Sequence, residues 1–129
     1  YIKNNIDCEL FSFNNDLHNL ILNSNFCITR SGASSLAELV HFNIPFVAIP
    51  FPFSKDNHQY YNALFYKNLN CCWLLGQSEK TSYELFKLIK NIIMDKNELN
   101  KKIEAMQKIS YENSWNNINK QILSIINEN

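Results

Sequence analysis

Ile28-Thr-Arg-Ser-Gly-Ala-Ser-Ser-Leu-Ala-Glu38 holds the only arginine of the chain and one of its two glycines, at what reads as a strand-to-helix turn. Phe26 to Thr29 is a short β-prone run, Gly32 permits a tight turn, and Ala33 to Glu38 opens a pattern of good helix formers. Such a turn aims the free N–H groups of a helix N-terminus above the sheet, which is a natural anion site. Phosphate is the first ligand this suggests.

Strand and helix signals alternate on both sides of the turn. Ile6 to Phe11 reads as a strand, and Asp16 to Asn23 as a short helix leading into Phe26 to Thr29. Ala33 to Phe42 is the next helix, ended by Asn43 and the Pro45 that follows. Pro45 to Ile49 is almost wholly apolar, the mark of a strand buried on both faces of a parallel sheet. Pro50 to Asp56 is a rigid loop with two prolines, Asn57 to Leu69 takes helical spacing, and Cys71 to Leu75 is a further strand broken by Gly76. From Thr81 to Met94, Leu85, Leu88, Ile89, Ile92 and Ile93 recur at the spacing of an amphipathic helix. Two more helices run from about Asn97 to Ile109 and from about Ser114 to Ile126. The order βαβαβαβααα implies an α/β fold with a doubly wound parallel sheet, Rossmann-like, whose ligands bind beyond the carboxyl ends of the strands. The loops after Thr29 and after Ile49 both lie at that edge.

A chain of 129 residues, 46% apolar, buries one sizeable core and little more, so residues 1–129 are expected to form a single domain. It begins with Tyr inside a β-prone stretch, which suggests a fragment whose upstream part is missing. Twelve basic and twelve acidic residues balance to a formal charge of zero, so no general attraction to nucleic acid or anionic lipid is expected. Anion binding must then be local. Cys8, Cys27, Cys71 and Cys72 lack CxxC spacing and stand mostly in apolar runs, as small core residues of a reducing compartment do. His18, His41 and His58 are far apart and have no paired Cys or carboxylate pattern, so no metal site is expected. The aromatic run from Phe46 to Tyr66 has no basic stripe beside it and reads as core and loop packing rather than a stacking platform for nucleic acid. No apolar run approaches the length of a membrane span.

Thr29-Arg-Ser-Gly-Ala-Ser-Ser-Leu-Ala-Glu38, a buried strand ending in Ile49-Pro-Phe-Pro52, and Asp56-Asn-His-Gln-Tyr-Tyr-Asn-Ala63 together resemble the carboxyl-terminal domain of the MurG-type peptidoglycan N-acetylglucosaminyltransferases, which have the GT-B fold. Phe13-Asn-Asn-Asp16 resembles a third motif upstream, and the likeness runs from residue 6 to about 126. The resemblance implies transfer of N-acetylglucosamine from UDP-N-acetylglucosamine to the lipid-linked muramyl-pentapeptide called lipid I. Inversion at the anomeric carbon then gives lipid II at the cytoplasmic face of the bacterial inner membrane, where the full-length protein would be peripheral. It implies no cofactor. The acceptor site and the catalytic base would lie on an amino-terminal domain, so the catalytic residue in this chain is unknown and the isolated chain is expected to turn nothing over.

Each candidate binding residue has a blander role beside the one the resemblance implies. Gly32 and Ala33 suit a turn, and also close approach to a diphosphate. Ser34 and Ser35 suit helix capping, and also donation of N–H groups or a hydroxyl to that diphosphate. Ser35-Leu-Ala-Glu38 fits a capping box, whereas the family's matching Glu holds the ribose of UDP, for which a carboxylate has suitable lone pairs. Arg30 either braces its loop or uses its five-donor fork on phosphate. His58 and Gln59 open a helix with Asp56 as the expected N-cap, and the family uses this pair on the donor sugar. Asn62, one turn on, supports His58 or is simply solvated. Phe13 and Asn14 match positions near the uracil pocket, although the family more often has an aliphatic residue where Asn14 stands. The last helix, from Trp115 to Ile126, either returns toward the amino-terminal domain or covers this sheet. Other readings are a related glycolipid glycosyltransferase, a sugar-nucleotide 2-epimerase, and a non-catalytic nucleotide-sugar-binding module or subunit. The Arg30-Ser-Gly-Ala33 and Pro50-Phe-Pro52 pair favours the peptidoglycan enzyme.

Overall fold

The computed structural model describes residues 2–112 and 114–127. Three parallel strands, β1 (Cys27–Thr29), β2 (Phe46–Ala48) and β3 (Cys72–Leu74), lie side by side in chain order with β2 at the centre. Cys27, Phe46 and Cys72 share one register row, Ile28, Val47 and Trp73 the next, and Thr29, Ala48 and Leu74 the third. Alternation along a strand therefore sends Phe46 and Ala48 to one face and Val47 to the other. All three are buried, as the apolar run through Pro45 to Ile49 requires.

On the Phe46 face lie α2 (Ala33–His41), α3 (His58–Asn68) and α5 (Lys96–Glu112). Leu36, Leu39 and Val40 of α2 join Phe46, Cys72, Ala63 and Met106 in one core. Their spacing of i, i+3 and i+4 puts them on one stripe of the helix. Burying each leucine contributes roughly 1.5–3 kcal/mol relative to leaving it in water. The opposite face takes α4 (Thr81–Met94), whose Leu88 and Ile92 line a cavity of about 470 Å³ together with Trp73. Helices on both faces of a parallel sheet give the α/β architecture expected of the sequence. α1 (Leu17–Leu22) and α6 (Trp115–Asn127) have no buried residues.

The helices fall close to their sequence periodicity, and α4 has the bounds its apolar repeat sets. The first predicted strand does not form. Residues 6–11 take no regular structure, and Ile6, Leu10 and Phe11 are 50%, 75% and 50% exposed. β-propensity describes a side chain that fits a pleated surface, and this segment has neither a neighbouring strand nor a face to bury. The four cysteines are free thiols, but Cys8 is exposed rather than in the core. Burial pushes the Cys71 thiol up to about 11 and the Cys72 thiol up to about 12.

Sharp corners fall on asparagine and aspartate. Asn5, Asn43, Asp56, Asn57 and Asn70 have φ between 50° and 60°, and no described glycine has a positive φ. These side chains tolerate the left-handed region better than most. Asn43 ends α2 in this way, its N–H donating to Val40 O and that of Ile44 to Leu39 O. Asn70 makes the same corner after α3, and its Oδ1 accepts from the Lys102 ammonium at 2.5 Å. Lys102 is only 7% exposed and lies 5.1 Å above the Trp73 ring. Burial, set against the nearby Glu98 and thiols, lowers its pKa.

Candidate functional site

Register places the carboxyl ends of all three strands along one edge, and the loops leaving β1, β2 and β3 meet there. Arg30, Ser31 and Gly32 connect β1 to α2. The first helical bond of α2 is from Leu36 N–H to Gly32 O, and no side chain caps the helix. The N–H groups of Ala33, Ser34 and Ser35 are therefore available to a ligand, and all three residues are exposed. The blander reading of Ser35 and Glu38, a capping box, is not realised. Gly32 is the N-cap, so Ser35 stands too deep in the helix to cap it, and Glu38 lies beyond the first turn.

Gly32 also departs from its expected role. Its φ of −65° and ψ of 135° are open to any residue, and a Cβ there would meet nothing closer than Ser35 Oγ at 3.7 Å. The turn does not need a glycine. What the missing side chain leaves is clearance above the helix N-terminus. Ser31, beside it, is fully buried and its hydroxyl has no partner among the described groups.

Arg30 gathers the strand ends. Its Nη1 donates to Gln77 Oε1 at 2.6 Å, Ile49 O at 3.2 Å and Pro50 O at 3.4 Å, and the guanidinium lies 5.8 Å from the Phe51 ring centroid. No carboxylate pairs with it among the described residues. The charge is thus held in place by neutral groups and remains uncompensated.

The loop after β2 carries the second half of the site. Asp56 and Asn57 both adopt left-handed backbone, in a 3-10 turn that runs into α3. Asp56 is therefore not the N-cap; that position falls to Asn57, which makes no side-chain cap. His58 Nδ1 lies 2.7 Å from Lys55 O. A carbonyl only accepts, so Nδ1 carries a proton and neutral His58 offers Nε2 as an acceptor. Gln59 Oε1 accepts from Phe51 N–H at 2.9 Å, which leaves its NH₂ as a donor. The pair offers one acceptor and one donor of the kind that reads sugar hydroxyls. Asn62 does not support His58: it donates to Ser31 O at 3.1 Å and so ties α3 to the turn before α2.

Glu38 Oε1 sits 3.4 Å from His18 Nδ1, whose ring stands edge-on to Phe42 at 4.8 Å. This contact brings the helix that follows Phe13 and Asn14 alongside Glu38. Phe13 is 78% exposed, whereas Asn14 Oδ1 accepts from Asp16 N–H at 2.7 Å and so shapes the turn before α1. Gln77, Ser31 and His18 are the contacts that the sequence analysis missed. Gln77 and His18 are distant from their partners in the chain, and no local pattern marks either of them. Among the described residues no group of three or more His, Cys, Asp or Glu could hold a metal ion.

Comparison with known proteins gives this arrangement its context. The profile of the Glycosyltransferase family 28 C-terminal domain matches residues 1–122. The UDP-N-acetylglucosamine--N-acetylmuramyl-(pentapeptide) pyrophosphoryl-undecaprenol N-acetylglucosamine transferase of Pelagibacter ubique (strain HTCC1062) is 50% identical over 129 residues, 100% of this chain and 36% of that protein. The protein of the same name from Helicobacter pylori (strain HPAG1) is 36% identical over 98 residues, 76% of this chain and 28% of its own length. The crystal structure of Acinetobacter baumannii MurG superposes with a TM-score of 0.66 at 24% identity, covering 77% of this chain and 28% of that one, a likeness of fold. The chain spans about a third of the length of the curated relatives it matches.

Proposed function

The chain belongs to the glycosyltransferase family 28 carboxyl-terminal domain family, and from that premise we propose that it is the donor-binding part of an inverting N-acetylglucosaminyltransferase. The observation that carries this reading is the uncapped N-terminus of α2 beneath a glycine that the backbone does not require. The donor is UDP-N-acetylglucosamine. Its diphosphate lies on the N–H groups of Ala33, Ser34 and Ser35, with Gly32 giving clearance and Arg30 supplying charge. Glu38 accepts from the ribose hydroxyls, His58 and Gln59 read the sugar, and the segment at Phe13 and Asn14 borders the uracil.

The acceptor is lipid I, held by a separate amino-terminal domain that also supplies the base. The acceptor oxygen bonds to the anomeric carbon as the bond to the diphosphate breaks. UDP leaves with the electron pair and the base takes the acceptor proton. Stabilising the leaving diphosphate is the contribution of this chain. A lipid-linked acceptor places the full-length protein peripherally at the cytoplasmic face of the inner membrane; none of the described helices is long and apolar enough to cross it.

Calorimetry on the 129-residue chain tests the donor assignment. UDP-N-acetylglucosamine binds more tightly than UDP-galactose, and ADP-glucose binds weakest. Glu38→Ala folds normally and loses about tenfold in affinity, the effect of one charge-assisted hydrogen bond. Equal affinity for ADP- and UDP-sugars rules out the uracil assignment, and transfer to lipid I by this chain alone rules out a separate base.

A further inference from the structure

The three neutral acceptors around Arg30 raise a question of chemistry. An exposed guanidinium at a loop junction is most simply held by a carboxylate, which matches its donor fork. Gln77, the residue that follows Gly76 after β3, instead offers an amide oxygen at 2.6 Å, the shortest of the Arg30 contacts. Among the described residues every side-chain hydrogen bond of Arg30 runs through Nη1, and Nε and Nη2 have no protein acceptor. A carboxylate at position 77 would hold the same nitrogen and cancel its charge. An amide holds it and cancels nothing.

We propose that Gln77 is a positioning residue of the donor site: its amide oxygen fixes Arg30 without neutralising it, so the guanidinium anchors the Pro50–Phe51 loop and still presents a full positive charge to a diphosphate. This rests on the carboxyl edge being a nucleotide-diphosphate-sugar site. The consequence reaches the sugar end as well. Arg30 holds Ile49 O and Pro50 O, and the next residue, Phe51, gives its N–H to Gln59. Gln77 thus sets the loop against which Gln59 is oriented, although Gln77 itself is not placed on the sugar. Gln77, Arg30, Thr29, Ile49 and Thr81 also line an open cleft of about 450 Å³, so Arg30 borders solvent at this edge of the sheet.

Two substitutions in the 129-residue chain separate charge from geometry. Gln77→Glu keeps an acceptor oxygen at the same reach but pairs the charge; Gln77→Leu removes the acceptor. Binding of UDP-N-acetylglucosamine, UDP and uridine is measured by calorimetry, with thermal melts confirming the fold. Gln77→Glu weakens both diphosphates about five- to tenfold, a modest value for a solvent-exposed pair, and leaves uridine unchanged. Gln77→Leu weakens UDP-N-acetylglucosamine more than UDP, because the support of Gln59 is lost. Wild-type affinity for UDP in Gln77→Glu, or a parallel loss of uridine binding, overturns the role of Gln77 and leaves the donor site standing. Absence of UDP binding in the unmodified chain overturns the donor site itself, and the role of Gln77 with it. Should Gln77→Leu fail to fold, Gln77→Glu decides alone.

Discussion

Arg30 and Lys102 each donate to a side-chain amide oxygen, Gln77 at 2.6 Å and Asn70 at 2.5 Å, and each lies near an aromatic ring. They occupy opposite ends of β3, since Gln77 follows the strand and Asn70 precedes it. Their surroundings differ. Lys102 is buried beside Asn70, Trp73 and two thiols, and burial works against its charge. Arg30 stands in water, where a guanidinium keeps its charge at little cost. The same bond therefore serves the scaffold at the amino end of the strand and the ligand at the carboxyl end. Exposure, not the bond, separates them.

The strongest test of that division is Lys102→Ala. It should destabilise the fold by about 3 kcal/mol, through lost packing and an orphaned Asn70, and leave UDP-N-acetylglucosamine affinity per folded molecule unchanged. Urea titration and calorimetry on one preparation measure both, and a parallel fall in affinity would break the comparison. Lys102→Met keeps the apolar stem and should recover most of the lost stability. Arg30→Ala is the mirror case. It should reduce affinity about tenfold or more and shift stability by no more than about 1 kcal/mol.

The pH profile sharpens the scaffold side. Cys71 and Cys72 ionise near 9 when unfolded but near 11 and 12 when folded. Above pH 9 the folded state therefore holds more protons than the unfolded one, and stability falls as pH rises. Lys102 acts the other way: its lowered folded pKa makes stability rise with pH in the window below 10.5. Above pH 10.5 the ammonium no longer changes the slope, while the two thiols and the Tyr66 phenol, also raised, still lower stability. The urea midpoint should fall above pH 10.5 and fall less in Cys72→Ala. Gly32→Ala gives the smallest change in stability, within about 1 kcal/mol because its φ is ordinary. Diphosphate affinity should nevertheless drop severalfold, since a methyl group then occupies the clearance.

The sequence pattern was most informative where one element could be judged by its own periodicity. The apolar repeat of α4 and the continuous burial of Pro45 to Ala48 each follow from a local pattern that tertiary packing did not overrule. Ile6 to Phe11 failed because a strand requires a partner, and partners are not local. The site was legible as two segments, but their connection was not. Asn62 to Ser31 and Arg30 to Gln77 span 31 and 47 residues. The left-handed backbone at Asp56 and Asn57, which sets the start of α3 ahead of His58 and Gln59, had no counterpart in the capping pattern.

The sheet's plain strand order has a consequence for assembly. Each strand pairs with the next one in the chain, and β2 is common to both ladders. A β1–α2–β2 unit can close before β3 exists, so the loops to be closed stay short and the entropy of closing them modest. During synthesis the core could therefore form from the amino end, with β2 as the template that β3 later joins. Val47→Ala would then slow refolding, whereas Trp73→Ala would act mainly on unfolding, a difference that stopped-flow kinetics on the two variants would register.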